Sequence, residues 1–302
     1  CIPSARSLSN YTVAKGDWEE LRNKGQYVYF FNYRGPKVAL SDDSSADAPK
    51  AVAEYIRWGE SECRNRDGEI CARAGACTER ARKKGYAGWY DAGGVRPAAI
   101  ISPYYGQYRR RFVLSSMKVA LDHDFIVFRE RSDLTDLQRR AVLASLNSTL
   151  GQLYIDKLGR TTGLGMVSME AKHGEELRVI PVRSLGMTTV RKLAKAFDDL
   201  ERATRTKGGA GDRDSESDLK VQYDALDSAV CDALRLSSSD MSEIQELWHA
   251  LVARRTLRTK DSTPESIRGE DRERSNLRPP RPRARPPQLK SSSRPLEDFS
   301  GQ

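Results

Sequence analysis

The chain has 302 residues, 38% of them hydrophobic and 31% charged, which allows one or two modest domains with a packed core. Its formal charge is +9, of which Ala253–Gln302 alone carries +6, so a nucleic-acid surface on the rest has to be a local patch rather than a global field. No run of about eighteen apolar residues occurs, which excludes a membrane-spanning helix, and no signal peptide is visible.

The sequence opens on Cys1 rather than Met and reads as a fragment whose N-terminal neighbour lies upstream. Gln26–Asn32 (QYVYFFN) is aromatic and β-branched, the composition of a strand. Ala48–Trp58 has helical spacing through Val52, Tyr55 and Ile56. The polar stretch that follows holds Cys63, Cys71 and Cys77, without a C-x-x-C and without a nearby histidine, so zinc-ligand spacing is lacking. These thiols are expected to be reduced, as suits a cytoplasmic protein.

Three short strands are expected at Ala98–Ile101, Arg111–Leu114 and Phe125–Phe128, punctuated by Gly and Pro as in a mixed sheet. Thr135 and Gln138 form a capping-box pair that opens a helix, with Gly159 as a left-handed stop. Gly163-Leu164-Gly165 then turns into Met166–Met169, and Val-Ile-Pro-Val closes this part at Val182. From Thr188 the period is helical. Val190, Leu193, Phe197 and Leu200 form one stripe, and Leu219, Tyr223, Leu226 and Val230 a second. Met241, Ile244, Leu247 and Leu251 form a third, capped by Ser237 and Asp240. Beyond about Thr259 the apolar period stops, and RPPRPRARPP at Arg278–Pro287 is a basic polyproline-like tract that cannot bury a core. The predicted fold is α+β: a mixed-sheet domain over 1–185, a helical subdomain over 186–258 and a disordered basic tail over 259–302.

Three segments, in order, carry a resemblance. The first is AEYIRWGESECRN from Ala53 with Gly88-Trp89-Tyr90 further on; the second is LASLNSTLGQLYIDKLGRTTGLGMVSMEAKHGEELRVIPV over Leu143–Val182. The third is LDSAVCDALRLSSSDMSEIQELWHALVARR from Leu226. Together they resemble the C-terminal specificity region of site-specific N6-adenine DNA methyltransferases of restriction-modification systems. That family joins a Tyr-Ile…Gly-Glu helix to a Trp-Tyr. It follows with a Leu-Asn-Ser helix, a Gly-Arg, a Gly-x-Gly turn and an Ile-Pro-Val, and ends in a helix pair. Its Gly before the last Leu is Arg235 here. The resemblance implies a target recognition domain that binds double-stranded DNA. An upstream catalytic domain would use S-adenosylmethionine, and this chain by itself would hold no cofactor, metal or catalytic residue.

The candidate DNA-contacting residues follow from their chemistry. Ile100–Arg111 interleaves Tyr104, Tyr105 and Tyr108 with Arg109, Arg110 and Arg111, types that stack on bases and fork onto phosphates or guanine. Arg160, Thr161 and Thr162 lead into Gly163 and Gly165, where a glycine-freed backbone allows close approach to a phosphate. Lys172 extends the patch. Two lookalikes are set aside. Ser102-Pro103-Tyr104-Tyr105 lacks the second proline of an amino-methyltransferase motif and no Gly-rich cofactor turn precedes it. Asp156 with Glu170-Ala171-Lys172 mimics a nuclease carboxylate set in a common surface pattern. Two other functions fit the same composition: a stand-alone specificity subunit of a restriction-modification system, and a protein-interaction scaffold without DNA.

Overall fold

The computed structural model describes residues 1–261 except 3, 27, 36–47, 66, 74, 95–97, 107, 118, 122–123, 163–164 and 210–216. The proline-rich tract and nearly all of the expected tail lie outside the described residues. These residues form two compact units: Cys1–Phe30 together with Arg96–Glu273, and Phe31–Val95.

The first unit is built on a mixed four-stranded sheet of order β1-β4-β2-β5, from β1 (Thr12–Val13), β2 (Ile100–Pro103), β4 (Val113–Ser115) and β5 (Phe125–Phe128). β1 runs parallel to β4; the other pairs are antiparallel. Side chains of a strand alternate between faces, and here both faces are buried. Ile100, Leu114 and Phe112 pack on the helical side, whereas Ile101, Val113, Val13 and Phe125 pack against Ile2, Leu8, Leu21 and Val28. Burial on both faces is why these strands read as nearly continuous apolar runs.

The helical side is covered by α4 (Asp136–Asn147), α5 (Thr149–Leu158), α7 (Met187–Thr206) and α8 (Lys220–Leu234), and α9 (Ser238–Asp261) packs on α5 and α8. Val190, Leu193, Phe197 and Leu200 of α7 share one core with Leu143 and Leu146 of α4 and with Leu226 and Val230 of α8. That core runs across residue 185, where the sequence suggests a domain boundary. The capping box at Thr135 forms, with Gln138 N donating to Thr135 Oγ1 and Thr135 N to Gln138 Oε1. Ser237 and Asp240 cap α9 in the same way. A second, antiparallel sheet of order β3-β7-β6 joins β3 (Tyr105–Gly106), β7 (Val167–Ser168) and β6 (Arg160–Thr161), and the short α6 (Ala171–Glu176) follows β7.

Three expectations are corrected. Gln26–Asn32 forms no strand among its described residues, and Tyr29 and Phe30 stand exposed at 71% and 49%. The helix from Thr135 breaks at Ser148, which leaves the helical region to cap α5 by accepting from Gly151 N. Gly159 ends α5 with φ −73°, so it is not a left-handed stop. Among the described residues no helix is long and apolar enough to cross a membrane.

The second unit packs α2 (Lys50–Ser61) through Ala53 and Ile56 against Tyr90, Phe31 and Tyr33. Its cysteines also correct the sequence reading. The antiparallel bridge Arg64–Ile70 sets Cys63 and Cys71 opposite one another with Cα atoms 5.4 Å apart, and they form a disulfide. A residue bridge eight positions long was invisible to spacing rules written for metals. Here, too, the first resembling segment acquires a physical meaning. A Cβ on Gly59 would overlap the Trp89 ring, and the Trp89 indole donates to Glu60 Oε1 at 3.0 Å, so Gly-Glu and Trp-Tyr recognise one another.

Candidate functional site

The residues Tyr104–Arg111 do not form one surface. After β2 the chain makes the two-residue β3 and then turns inward beneath α5, α8 and α9. Arg110 is 3% exposed, and its guanidinium donates to the carbonyls of Pro103, Tyr104 (3.1 Å) and Val167 (2.6 Å). Its backbone exchanges hydrogen bonds with the amide of Gln152, at 2.7 and 2.9 Å. Burial lowers its pKa to about 10, with Asp156 acting in the opposite direction. A buried guanidinium is tolerable only when oxygen acceptors replace its water, and this one is held by the fold rather than offered to a phosphate.

Arg109 is likewise drawn inward. It lies 4.0 Å from the Tyr223 ring centre and 4.5 Å from that of Trp248, and donates to the Asn147 carbonyl and to Thr149 Oγ1. The aromatic faces stabilise the cation that burial would otherwise penalise. Arg111 is half-buried; burial lowers its pKa while the charges of Tyr11 and Tyr223 act to raise it. A cleft of about 660 Å³ opens beside Arg109 and Trp248, between α8 and α9. Asp224, Asp227 and Glu246 line it together with Lys220 and Arg109, so carboxylates outnumber cations and it does not suit a polyanion. Of the arginine-tyrosine strand expected to face DNA, Arg109 and Arg110 are thus turned inward.

Of the remaining candidates, Tyr105, Arg160 and Thr161 lie on the three-stranded sheet. In its register Ser168 of β7 lies opposite Tyr105 on one side and Arg160 on the other. Directly paired residues project on one face, so Tyr105 and Arg160 stand in one cross-strand row. Tyr105 is 48% exposed and leans edge-on to the half-buried Tyr104 at 4.8 Å. Arg160 and Thr161 are exposed. Neither Arg160 nor the nearby exposed Lys157 has a carboxylate within ion-pair distance among the described residues. Lys172, on α6, is exposed and pairs with Glu170 at 3.3 Å.

The turn between β6 and β7 is closed by backbone. Thr162 N donates to the Met166 carbonyl, the Thr162 hydroxyl reaches the same oxygen, and Gly165 N donates to the Thr162 carbonyl. Gly165 has φ +69°, a left-handed conformation that glycine takes without strain. It is buried, so it shapes the turn rather than meeting a ligand itself. Gly163 lies outside the described residues. Tyr108 is half-buried and contributes its carbonyl to Arg255.

The second resembling segment runs into this sheet. A Cβ on Gly159 would overlap Val167 and approach the Ser168 carbonyl to 2.9 Å, so the Gly-Arg pair needs its glycine to let α5 run into β6 beneath β7. The buried Asn147 of Leu-Asn-Ser accepts from Phe112 N and donates to the carbonyls of Phe112 and Leu143, each at 2.9 Å. It thereby clamps the segment that follows the arginines onto α4. Of the lookalikes, Ser102 is fully buried in β2, and Asp156 on α5 is 3.5 Å from the Arg255 guanidinium.

Arg255 and Trp248 were not singled out from sequence. Met241, Trp248 and Arg255 follow one another at intervals of seven and are the buried residues of α9 among those whose burial is described, a heptad signal that competes with the alternative stripe through Leu247. Leu247 is 53% exposed. Compared with known proteins, the chain matches no protein family, no curated protein and no solved structure.

Proposed function

We propose that this chain contacts double-stranded DNA as the specificity region of an N6-adenine DNA methyltransferase of a restriction-modification system. Methyl transfer from S-adenosylmethionine to a flipped adenine belongs, in this reading, to a separate catalytic domain. The observation that carries the proposal is the row of Tyr105 and Arg160 across Ser168, with Arg160 and Lys157 exposed and without carboxylate partners among the described residues. An exposed guanidinium left without a carboxylate partner is available for a phosphate or a guanine edge, and an adjacent tyrosine supplies stacking or a hydroxyl. The resemblance supports the same place, because its Gly-Arg motif ends at Arg160. The role given at sequence level to Arg109 and Arg110 passes to Arg160 and Lys157, with Thr161 and Lys172 at the margin.

The test is duplex binding by the 302-residue chain, followed by fluorescence anisotropy over a range of salt. Affinity is expected to fall steeply with salt. Arg160→Ala is expected to weaken binding by about tenfold at low salt and to reduce the slope of log Kd against log salt by about one. Salt-insensitive binding, or an Arg160→Ala variant indistinguishable from the parent, overturns the assignment.

A further inference from the structure

We infer that Arg255 of α9 is a positioning residue that fixes the three-stranded sheet, so that the last helix sets the geometry of Tyr105 and Arg160; its consequence for DNA rests on the function proposed above. The sheet cannot hold itself. β3, β6 and β7 are two residues long each, and so short a ladder supplies few hydrogen bonds. Its two open ends are tied by guanidinium groups. Arg110 takes the Tyr104 and Val167 carbonyls. Arg255, 7% exposed, takes the other end: Nη1 donates to the Gly165 carbonyl and Nη2 to the Tyr108 carbonyl, both at 3.0 Å.

Gly165 lies two residues before β7, and Tyr108 two residues after β3. One planar group therefore bridges the loop beside Arg160 and the loop beside Tyr105. Asp156 of α5, 3.5 Å from Nη2, helps aim it. A fork of fixed geometry can serve two carbonyls at once; an ammonium on a flexible stem serves them less well. The contact spans 90 residues to Gly165 and 147 to Tyr108, so it depends on the docking of α9 rather than on local chain order.

Arg255→Gln and Arg255→Lys in the full chain test this in two ways. Hydrogen exchange is expected to quicken by about tenfold or more in peptides over 105–108 and 160–168, and much less in α4 and α7, because the sheet opens locally when its tie is lost. Arg255→Lys should fall between the parent and Arg255→Gln. In a duplex-binding cycle, Arg255→Gln and Arg160→Ala should each weaken affinity about tenfold and together about tenfold, not a hundredfold, because both act through one contact. Unchanged exchange in both segments, or multiplicative losses in the cycle, overturns the inference. A residue that only stabilised the fold would lower the urea midpoint and act alike in both Arg160 backgrounds. If the parent chain binds no duplex, the proposed function falls and exchange alone decides the positioning role. Should Arg255→Gln not fold, Arg255→Lys is read by the same exchange measurement, and parent-like exchange there overturns the inference.

Discussion

At the scale of single residues, the most informative side chains are polar ones that the fold consumes. Asn147 is fully buried and satisfies both backbone groups of Phe112. Asn147→Ala strands a buried N–H and a buried carbonyl, and is expected to cost roughly 2–4 kcal/mol in urea unfolding. A loss below about 1 kcal/mol would mean that water or a rearranged loop replaces the amide. The motif was legible in the sequence, but its task was not, because an Asn at a helix end is as readily a surface cap. The arginine run misled for a related reason. Three consecutive arginines read as surface on composition, and only the positions of Tyr223, Trp248 and the carbonyls of Pro103, Tyr104 and Val167 turn two of them inward.

At the scale of elements, helical periods were readable where one face alone is buried. Every residue of the stripes on α7 and α8 is in the core. On α9 the buried Trp248 lies one position beyond the expected Leu247, and these adjacent residues belong to two apolar faces that compete in the pattern. The joint between α8 and α9 is set by Arg235, which has φ +57° and accepts the left-handed form at the end of α8. A side chain there costs roughly 1 kcal/mol relative to glycine. Arg235→Gly should therefore stabilise the chain by about 0.5–1 kcal/mol in urea unfolding, provided that the helix pair stays as it is. A destabilised Arg235→Gly would show that the arginine side chain contributes more than its backbone costs.

At the scale of the whole chain, the N-terminal strand is held from far away in sequence. Glu201 of α7 accepts from Tyr11 N at 2.6 Å and from Thr12 Oγ1 at 2.5 Å, and Arg205 donates to Asp17 at 2.7 and 3.1 Å. Burial by itself raises the Asp17 pKa. The hydrogen bonds from Arg205 and Ala14 and the charge of Arg205 outweigh it, so the carboxyl ends below its ordinary value of 3.8. A depressed carboxylate stabilises the fold above its unfolded pKa, and that contribution is lost as pH falls through the folded value. Asp17→Asn is therefore expected to be less stable than the parent by about 1 kcal/mol near neutral pH, the ion pair being partly exposed. The gap should close as pH falls below the ordinary carboxylate value; urea titrations from about pH 7 to about pH 3 check it. A gap that persists undiminished in acid would assign the effect to packing.

The sequence by itself determined the mixed helix-and-strand composition, the three strands around Ile100, Val113 and Phe125, the capping boxes at Thr135 and Ser237, and the apolar faces of α7 and α8. These are local properties: periodicity and caps act over a few residues. Tertiary structure alone decided which arginines are spent inside and which are left outside, where Cys63 meets Cys71, and that a core crosses residue 185. It also decided that Arg255 braces a sheet whose strands lie between 87 and 150 residues earlier. Burial of a charge depends on which acceptors and aromatic rings arrive from distant elements, and no local pattern records their arrival.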